Sequence, residues 1–474
     1  MLHRRRILAC ILTGAMAVSL TACGGKKQET AVSAASEAAE SAVSEAAAAS
    51  AVSEAAASEA ESAVSEAAES AASEAAESAA SESAESAAAE TAGGTDLVSP
   101  DDPNMLAASG TLELTEWEES SGIFNTDETD EELYEKAKEE GKVTIYSISA
   151  RVPKVAAAFM EKYPGIEVEF FDISTNELLE KVTREYDAGQ HVADVVHIKD
   201  QDGSMYNEYI LPRKFYNYKP ADILSHMDEK YTATATPLYI ELTQLFYNGE
   251  ANPDGSPVTN IWQLTEEEWK GRVMMQNPLD NVSWGSWITG FCVGDVPDQL
   301  AAAYKELYGE DLVLSDGCEN AGYEFLKRLH DNEPVYAASS DEIAEAVGTK
   351  GQENPPIGFA SSSKVRKNED NDWCLVPVNL EPTTGIPAIN TLYVVGECEH
   401  PNAAKLLVRF YLGGIDGDTS GYDYFNTLGG WPVRDDIEPA EGSTPYSELR
   451  VSDVNPSEIY DNINLVRDFW TLLG

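Results

Sequence analysis

The stretch that decides the fold runs over residues 131–198, EELYEKAKEEGKVTIYSISARVPKVAAAFMEKYPGIEVEFFDISTNELLEKVTREYDAGQHVADVVHI. Three helical segments alternate with three short β-rich runs, KVTIYSI, IEVEFFDI and ADVVHI. Turn signals separate them: Pro164-Gly165 ends the second helix, and Ser174 or Thr175 caps the third. This alternation predicts an α/β fold with a parallel sheet and right-handed crossovers.

In a sheet of this kind, ligands bind beyond the carboxyl ends of the strands. Two segments follow strands here: YSISAR follows the first strand, and IKDQD follows the third. Hydroxyls and backbone N–H groups at helix starts, together with one or two cations, form an anion site. We therefore expect Ser147, Ser149, Arg151, Lys199 and Asp200 to contribute to ligand binding.

The start of the chain predicts export. Residues 1–22 combine a basic beginning, an apolar middle and small residues at the end, which indicates a secretory signal peptide too short to span a membrane. The sequence LTACGG that follows matches the bacterial lipobox, so we expect Cys23 to be lipidated and to hold the protein at the outer face of the membrane. The alternative is an ordinary signal peptide with an incidental cysteine.

Residues 23–95 consist almost entirely of Ala, Ser and Glu, and the unit SEAAESAA occurs at 65–72 and again at 73–80. Such a tract has no apolar face to bury, so it predicts a partly helical, solvated spacer. A coiled-coil or adhesin-like role would require apolar heptads, which the tract lacks. Residues 96–130 form an extension that either wraps on the following domain or lengthens the spacer.

The charge of the chain excludes some partners. A formal net charge of −51 disfavours nucleic acid and anionic lipid headgroups, although a cleft can differ locally from the surface. Four cysteines lie beyond the spacer and allow one or two disulfides, without the spacing of a zinc site: Cys292, Cys318, Cys374 and Cys398.

Several later segments carry a family resemblance in the expected order. Together with the opening stretch, LTQLFYNGE, WQLTEEEWKGRVMMQNP, INTLYVVGECEHPNAAKLLVRFYLG and GGWPVRDD resemble extracellular solute-binding proteins of ABC importers. The closest branch is the type 2 periplasmic-binding fold that includes ferric-iron and phosphorylated-solute binders. The resemblance implies two α/β lobes, a ligand in the cleft between them, closure on binding, a membrane permease as partner, a monomer, and no catalysis or cofactor. The expected lobes are 131–240 with 388–435, and 241–387 with 436–474.

The resemblance leaves the ligand open. Iron-binding members use neighbouring tyrosines, often with a His and a Glu, whereas this chain has no adjacent tyrosine pair, no His after the first strand and no Glu after the third. A small anion or phosphorylated organic molecule is therefore the favoured ligand, and ferric iron is the alternative. No metal is expected: the stretch 416–427 begins like a calcium loop but has Thr427 where such loops place a glutamate.

The remaining candidate ligand residues lie near the lobe crossing and in loops of the second lobe. Asn281 or Ser283 could cap the helix WGSWITGFCV and present its positive end to an anion, although a serine at a helix start is often only a cap. Trp284 could stack on a ring or belong to the core. The further candidates are Tyr239, Ser361 and Ser362.

Two other classes of function remain weaker alternatives. A secreted hydrolase would be expected to carry a signature such as GxSxG or HExxH, and none occurs. A stalked surface scaffold would suit the spacer but would not need a two-lobed α/β body.

Overall fold

The computed structural model describes residues 98–474. The predicted signal peptide (1–22), the lipidation of Cys23 and the spacer (23–95) lie outside the described residues. Within 98–474, no helix combines the length and apolarity that a membrane crossing requires.

The described chain contains fourteen α-helices and eleven strands. The helices are α1 (Pro103–Ala108), α2 (Glu116–Ser121), α3 (Asp130–Glu140), α4 (Val152–Lys162), α5 (Thr175–Asp187), α6 (Ala221–Leu224), α7 (Glu229–Thr232), α8 (Val282–Gly290), α9 (Val296–Tyr308), α10 (Ala321–Asp331), α11 (Ser340–Gly348), α12 (Asn368–Asn371), α13 (Pro401–Leu412) and α14 (Pro456–Leu473). The strands are β1 (Lys142–Ser147), β2 (Glu167–Asp172), β3 (Val195–Asp200), β4 (Phe215–Tyr216), β5 (Pro237–Asn248), β6 (Val273–Met275), β7 (Val335–Tyr336), β8 (Ile357–Ser361), β9 (Leu375–Pro377), β10 (Pro387–Val395) and β11 (Trp431–Pro432). A π-helical turn spans Tyr206–Ile210, and 3₁₀ segments span Ile261–Thr265, Glu267–Trp269, Ser362–Lys367 and Tyr446–Glu448.

The three strands predicted in the opening stretch form as expected. Strand β1 pairs in parallel with β2 on one side and with β3 on the other. The third helix of the stretch, α5, begins with a capping box in which Ser174 accepts from the backbone N–H of Glu177. Ser174 rather than Thr175 is therefore the cap.

The rest of the sheet is antiparallel, which the helix–strand alternation did not predict. Strand β10 lies between β3 and β5 and runs antiparallel to both, in the order β2-β1-β3-β10-β5-β8-β6-β7. The reason is the chain path: the backbone leaves the first lobe along β5 and returns along β10. The two connecting strands therefore run in opposite directions.

Strand β5 is the long connection between two hydrophobic cores. Its first half pairs with β10 and β11, and its second half pairs with β8 and β9. One core is built from residues between Ile123 and Tyr239 and from a later stretch that ends at Phe425. The other runs from Leu245 to Leu380 and includes Trp470 of α14. The fold is thus two-lobed, and the lobe boundaries given above stay predictions.

The extension before α3 packs on the first core, which resolves the alternative left open by the sequence. Ile123 is buried there, and the Trp117 indole donates to the carbonyl of Cys398 at 3.0 Å. Glu128 is 5% exposed and pairs at 2.5 Å with Lys405, which has no exposed surface. From residue 98 onward the extension therefore belongs to the folded domain.

The four cysteines of the folded domain are all free. Burial is the first cause that raises the thiol pKa of Cys292 and Cys398 well above its usual value. These two side chains consequently behave as small apolar core residues.

Candidate functional site

The site begins with strand register at the lobe crossing. Lys199 of β3 lies opposite Asn390 of β10, which in turn lies opposite Tyr239 of β5. Glu241 is two residues beyond Tyr239 and shares its face of the sheet, because side chains alternate along a strand. The Lys199 Nζ atom reaches across β10 to within 2.5 Å of Glu241 Oε2.

Arg151 joins this group from the loop after β1. It lies directly before α4, where its Nη1 donates to the Tyr239 hydroxyl at 3.0 Å and its Nη2 to Thr427 Oγ1 at 3.3 Å. The guanidinium also lies 5.5 Å from the centre of the Phe425 ring, within range of a cation–π contact. Its position is therefore fixed by contacts to three separate parts of the chain.

A third cation, Arg366, comes from the 3₁₀ segment after β8. Its Nη1 donates to the carbonyl of Ser363 at 2.7 Å. Burial, followed by the charge of Arg151, lowers the pKa of Arg366, which places the two guanidinium groups in one electrostatic environment. We call Arg151, Lys199 and Arg366 the basic cluster; within residues 98–474 its sole ion pair is the one between Lys199 and Glu241.

The protonation states within the site follow from its charges. Burial raises the pKa of Glu241, but Lys199 and then Arg151 oppose it and hold that pKa well below its usual value. Burial, with Glu241 second, raises the pKa of Tyr239. Burial and the charge of Arg151 lower the pKa of His197 to about 3. At neutral pH the site therefore holds three cations, one carboxylate, a neutral phenol and a neutral imidazole.

The two serines after β1 shape the loop that carries Arg151. Ser147 is buried and its hydroxyl lies 3.0 Å from His197 Nδ1, while it accepts from the backbone N–H of Ser149 at 3.1 Å. Ser149 Oγ accepts from the backbone N–H of Arg151 at 3.4 Å. Both predicted serines thus lie beside the basic cluster.

Ser361 and Ser362 lie at the end of β8, on the other side of the cluster. The Ser362 hydroxyl donates to the Gly429 carbonyl at 2.5 Å and accepts from the Leu242 N–H at 2.9 Å. Gly429 has φ +77°, and a Cβ there would lie 2.0 Å from the Ser362 carbonyl oxygen, so this close approach requires glycine. Ser361 Oγ is 3.2 Å from Ser363 Oγ and remains partly exposed. Ser362 therefore holds the backbone together, and Ser361 borders the cleft.

The N-terminus of α8 differs from the expectation. Asn281 stands at the cap position without a capping side-chain bond, and its Oδ1 has no partner within residues 98–474. Neither Asn281 nor Ser283, which is already inside the first turn, caps the helix, because the Asn281 side chain turns away from the orphan N–H groups. Trp284 is 5% exposed and packs edge to face on Trp287 at 5.1 Å, as a core residue does.

Helix α8 nevertheless meets the first lobe. Ser283 and Lys199 line the same gap of about 10 Å³, which is close to the volume of one water probe. Beside it, Ser286 Oγ donates to Asp202 Oδ2 at 3.0 Å, and Asn176 Nδ2 donates to the Asp280 carbonyl at 3.2 Å. The two lobes are therefore in direct contact.

Asp200 is the predicted site residue that the fold separates from the others. It follows Lys199 in β3 and pairs with Ile389, so its side chain points to the opposite face of the sheet. Burial and the neighbouring Asp202 raise its pKa to about 7.

Groups of potential metal ligands are sparse in the described part of the chain. One set of three clusters there, His226 with Asp435 and Asp436, and it lies away from the cleft on the surface. Arg434 pairs with Asp436 at 2.6 Å, as the sequence suggested. In the calcium-like stretch, Asp416 Oδ1 accepts from the Asp418 N–H at 3.0 Å, which is the geometry of an acidic turn.

Sequence reasoning missed three residues of the site: Arg366, Thr427 and Phe425. Arg366 had a visible signal, because it belongs to the basic run KVRK directly after a strand-end serine cluster. Lys364 and Lys367 of the same run both pair with Asp341, so Arg366 is the one that faces the cluster. Thr427 and Phe425 had no local signal, since only the return of the chain beside β5 brings them to Arg151.

Comparison with known proteins agrees with this architecture. A family model for bacterial extracellular solute-binding proteins matches residues 154–449. No curated protein sequence is significantly similar to the chain. Similar folds occur in iron-bound HitA from Pseudomonas aeruginosa (15% identity, TM-score 0.54, 70% of this chain and 99% of that one) and in AfuA from Actinobacillus pleuropneumoniae with fructose-6-phosphate bound (17%, 0.53, 70% and 97%). A third is the substrate-binding protein of an ABC transporter from Agrobacterium tumefaciens (14%, 0.53, 71% and 96%).

The family match spans more than half of the chain, and the two-lobed fold is the one that the family resemblance implied. The chain therefore belongs to the family of bacterial extracellular solute-binding proteins, which capture solutes for ABC transporters.

Proposed function

We propose that this protein captures a small dianionic solute, such as a phosphorylated organic molecule, at the basic cluster and delivers it to an ABC permease. The observation that carries the proposal is the charge of the site. Three cations face a single carboxylate, which leaves an excess of two positive charges in a chain of net charge −51. A ligand with two negative charges neutralises that excess, and arginine side chains provide the forked donors that phosphate prefers.

The same charges argue against ferric iron, the alternative ligand. A ferric site needs anionic oxygen ligands such as phenolates, whereas burial raises the pKa of Tyr239 and keeps its hydroxyl protonated. The three cations would also repel a trivalent ion. Among proteins of similar fold, HitA is iron-bound and AfuA is bound to fructose-6-phosphate, so the fold accommodates both chemistries. The residues of this chain favour the second.

The site residues follow from this assignment. Arg151, Lys199 and Arg366 bind the anionic group, Ser149 and Ser361 border it, and Ser283 approaches from the second lobe. Tyr239 orients Arg151, while Glu241 holds Lys199 until the solute arrives. Asn281, Trp284, Ser147 and Ser362 shape the loops around the ligand. No reaction is needed, because solute binding selects the closed arrangement of the lobes and that arrangement docks on the permease.

We further propose that the protein is a monomeric lipoprotein, held at the outer face of the membrane by lipid on Cys23 and raised from it by the spacer 23–95. The lipobox supports the anchor, and the spacer composition supports the reach. Substitution Cys23→Ala should move the protein from the membrane fraction to the soluble fraction and abolish incorporation of labelled palmitate. Unchanged labelling in this variant would overturn the anchor.

The test of solute capture is a binding screen on the full chain by thermal shift and calorimetry. The panel contains hexose phosphates, phosphonates, ferric citrate, polyamines and calcium. A ligand present at a thousand times its Kd stabilises the folded state by about 4 kcal/mol, which gives a measurable rise in Tm. We expect a rise with at least one phosphorylated compound.

Matched variants locate the binding. Arg366→Ala should weaken binding of the phosphorylated compound at least tenfold, because charged hydrogen bonds contribute about 1.5–3 kcal/mol. Lys367→Ala is the control, since Lys367 lies in the same short segment but pairs with Asp341. Equal losses in the two variants, or a rise in Tm with ferric citrate alone, would contradict the proposal.

A further inference from the structure

A second cavity lies on the reverse face of the connecting strands. It has a volume of about 300 Å³, at the lower end of the range for small-molecule sites. Its walls come from the segment after β3, from the start of β10 and from the residues that precede α14. Asp200, Gln201, Tyr206, Tyr231, Ile389 and Asp453 are among the lining residues.

This cavity is separate from the basic cluster because of strand alternation. Asp200 and its partner Ile389 both line the cavity. Their neighbours Lys199 and Asn390 pair with each other and point to the opposite face. The sheet itself therefore stands between the two sites, and a ligand in one does not touch the other.

The cavity contains a carboxylate that no cation compensates. Asp200 accepts from the Gly203 N–H at 2.9 Å and from the Tyr393 hydroxyl at 3.4 Å, and it has no ion-pair partner within residues 98–474. The nearest charge along the chain, Asp202, has the same sign. The one lysine of the cavity wall, Lys230, is already paired with Asp453 at 3.1 Å. A buried carboxylate in this setting is costly until a cation or a proton neutralises it.

Two further features describe what the cavity accepts. Gln201 is 7% exposed, lines the cavity, and its Nε2 has no hydrogen-bond partner in the described part of the chain. An unpaired buried amide N–H calls for an acceptor oxygen. The rings of Tyr206 and Tyr231 form aromatic walls, which attract cations and cover apolar carbon.

We propose that this cavity is a second binding site, which takes a small organic amine that also carries a hydroxyl or carbonyl oxygen. The ammonium group pairs with Asp200, the oxygen accepts from Gln201, and the carbon chain lies against the tyrosine rings. The site stands apart from solute capture at the basic cluster, and it requires no anion to be present.

The test is calorimetric titration of the full chain at pH 8 with 4-amino-1-butanol, in the absence of any anionic solute. The matched probe is 1,4-butanediol, which has the same chain length without the charge. We expect saturable binding of the amine and at least tenfold weaker binding of the diol. Equal binding of both probes, or no binding of the amine, would overturn the proposal.

Variants assign the site. Asp200→Asn should weaken amine binding at least tenfold, and Tyr231→Leu should weaken it to a smaller extent. Arg151→Ala, on the opposite face of the sheet, should leave amine binding within twofold of the unmodified chain. Retained amine binding in Asp200→Asn would contradict the site. Since Arg151→Ala is directed at the solute site, failure of either proposal is seen independently of the other.

Discussion

Lys199 and Glu241 pair at 2.5 Å across the intervening strand β10, so one ion pair ties β3 of the first lobe to the connecting strand β5. Glu241 is 4% exposed, whereas the Lys199 side chain is 22% exposed and borders the gap to α8. The carboxylate thus occupies, from within the protein, the place beside Lys199 that an anionic solute would take. Binding of that solute competes with Glu241 for the lysine.

Substitution Glu241→Gln should tighten solute binding while it destabilises the free protein. The variant removes the competing charge, so affinity for the best phosphorylated compound should rise about tenfold. Loss of one partner of a buried ion pair costs about 3 kcal/mol, which should lower the midpoint of denaturant unfolding. Calorimetry and urea unfolding measure the two effects. Weaker binding in Glu241→Gln would show that the carboxylate assists the solute instead of competing with it.

The contact between Asp202 and Ser286 should hold the lobes closed. Ser286→Ala removes a hydrogen bond to a carboxylate, worth about 1.5–3 kcal/mol, so solute affinity should fall about tenfold through faster release. Thr289→Val is the control, because the Thr289 hydroxyl bonds only the Gly285 carbonyl of its own helix. Stopped-flow release rates provide the measurement. An equal change in both variants would assign the effect to α8 and not to lobe closure.

Asp200 should make stability fall as the pH rises through neutrality. Its pKa in the folded state is about 7 and its ordinary value is 3.8, so between these values the folded chain binds more protons than the unfolded chain. The stabilising contribution of the protonated carboxyl is complete below pH 3.8 and is lost as the pH rises through 7. Asp202 and Tyr393 face this group directly, and Lys230 with Asp453 faces it across the cavity.

The measurement is a pair of melting curves for Asp200→Asn and the unmodified chain. Since the variant does not titrate at this position, its advantage in Tm should be about 2 °C or more greater at pH 8 than at pH 5. An advantage that is the same at both pH values would contradict the raised pKa. A stable Asp200→Asn variant also shows that any loss of amine binding does not come from unfolding.

The extension before α3 should be required for the stability of the first lobe. Lys405 of α13 has no exposed surface and donates to the Ser121 carbonyl at 2.7 Å as well as to Glu128. Lys405→Met leaves Glu128 buried without its cation and should destabilise the protein by about 3 kcal/mol, measured by urea unfolding. Adding Glu128→Gln should restore part of the loss, because the uncompensated charge is then gone. A double variant no more stable than the single one would contradict this reading.

The sequence by itself determined the local structure of the opening stretch. Apolar spacing and turn residues were sufficient to predict β1, α4, β2, α5 and β3, because each of these elements depends on contacts within a few residues or between neighbouring segments. The same reasoning identified Arg151 and Lys199, since both directly follow predicted strands. Ordered family motifs supplied the two-lobed fold, which periodicity alone did not reach.

Only the tertiary structure decided which of these residues meet. The antiparallel return of β10 places Glu241 beside Lys199, and the last crossing beside β5 brings Thr427 to Arg151. Contacts over such separations depend on strand order and register, which one sequence does not encode in any local pattern. The pairing of β3 with β10 also sends Lys199 and Asp200 to opposite faces, so two adjacent residues that the sequence grouped as one site belong to two different cavities.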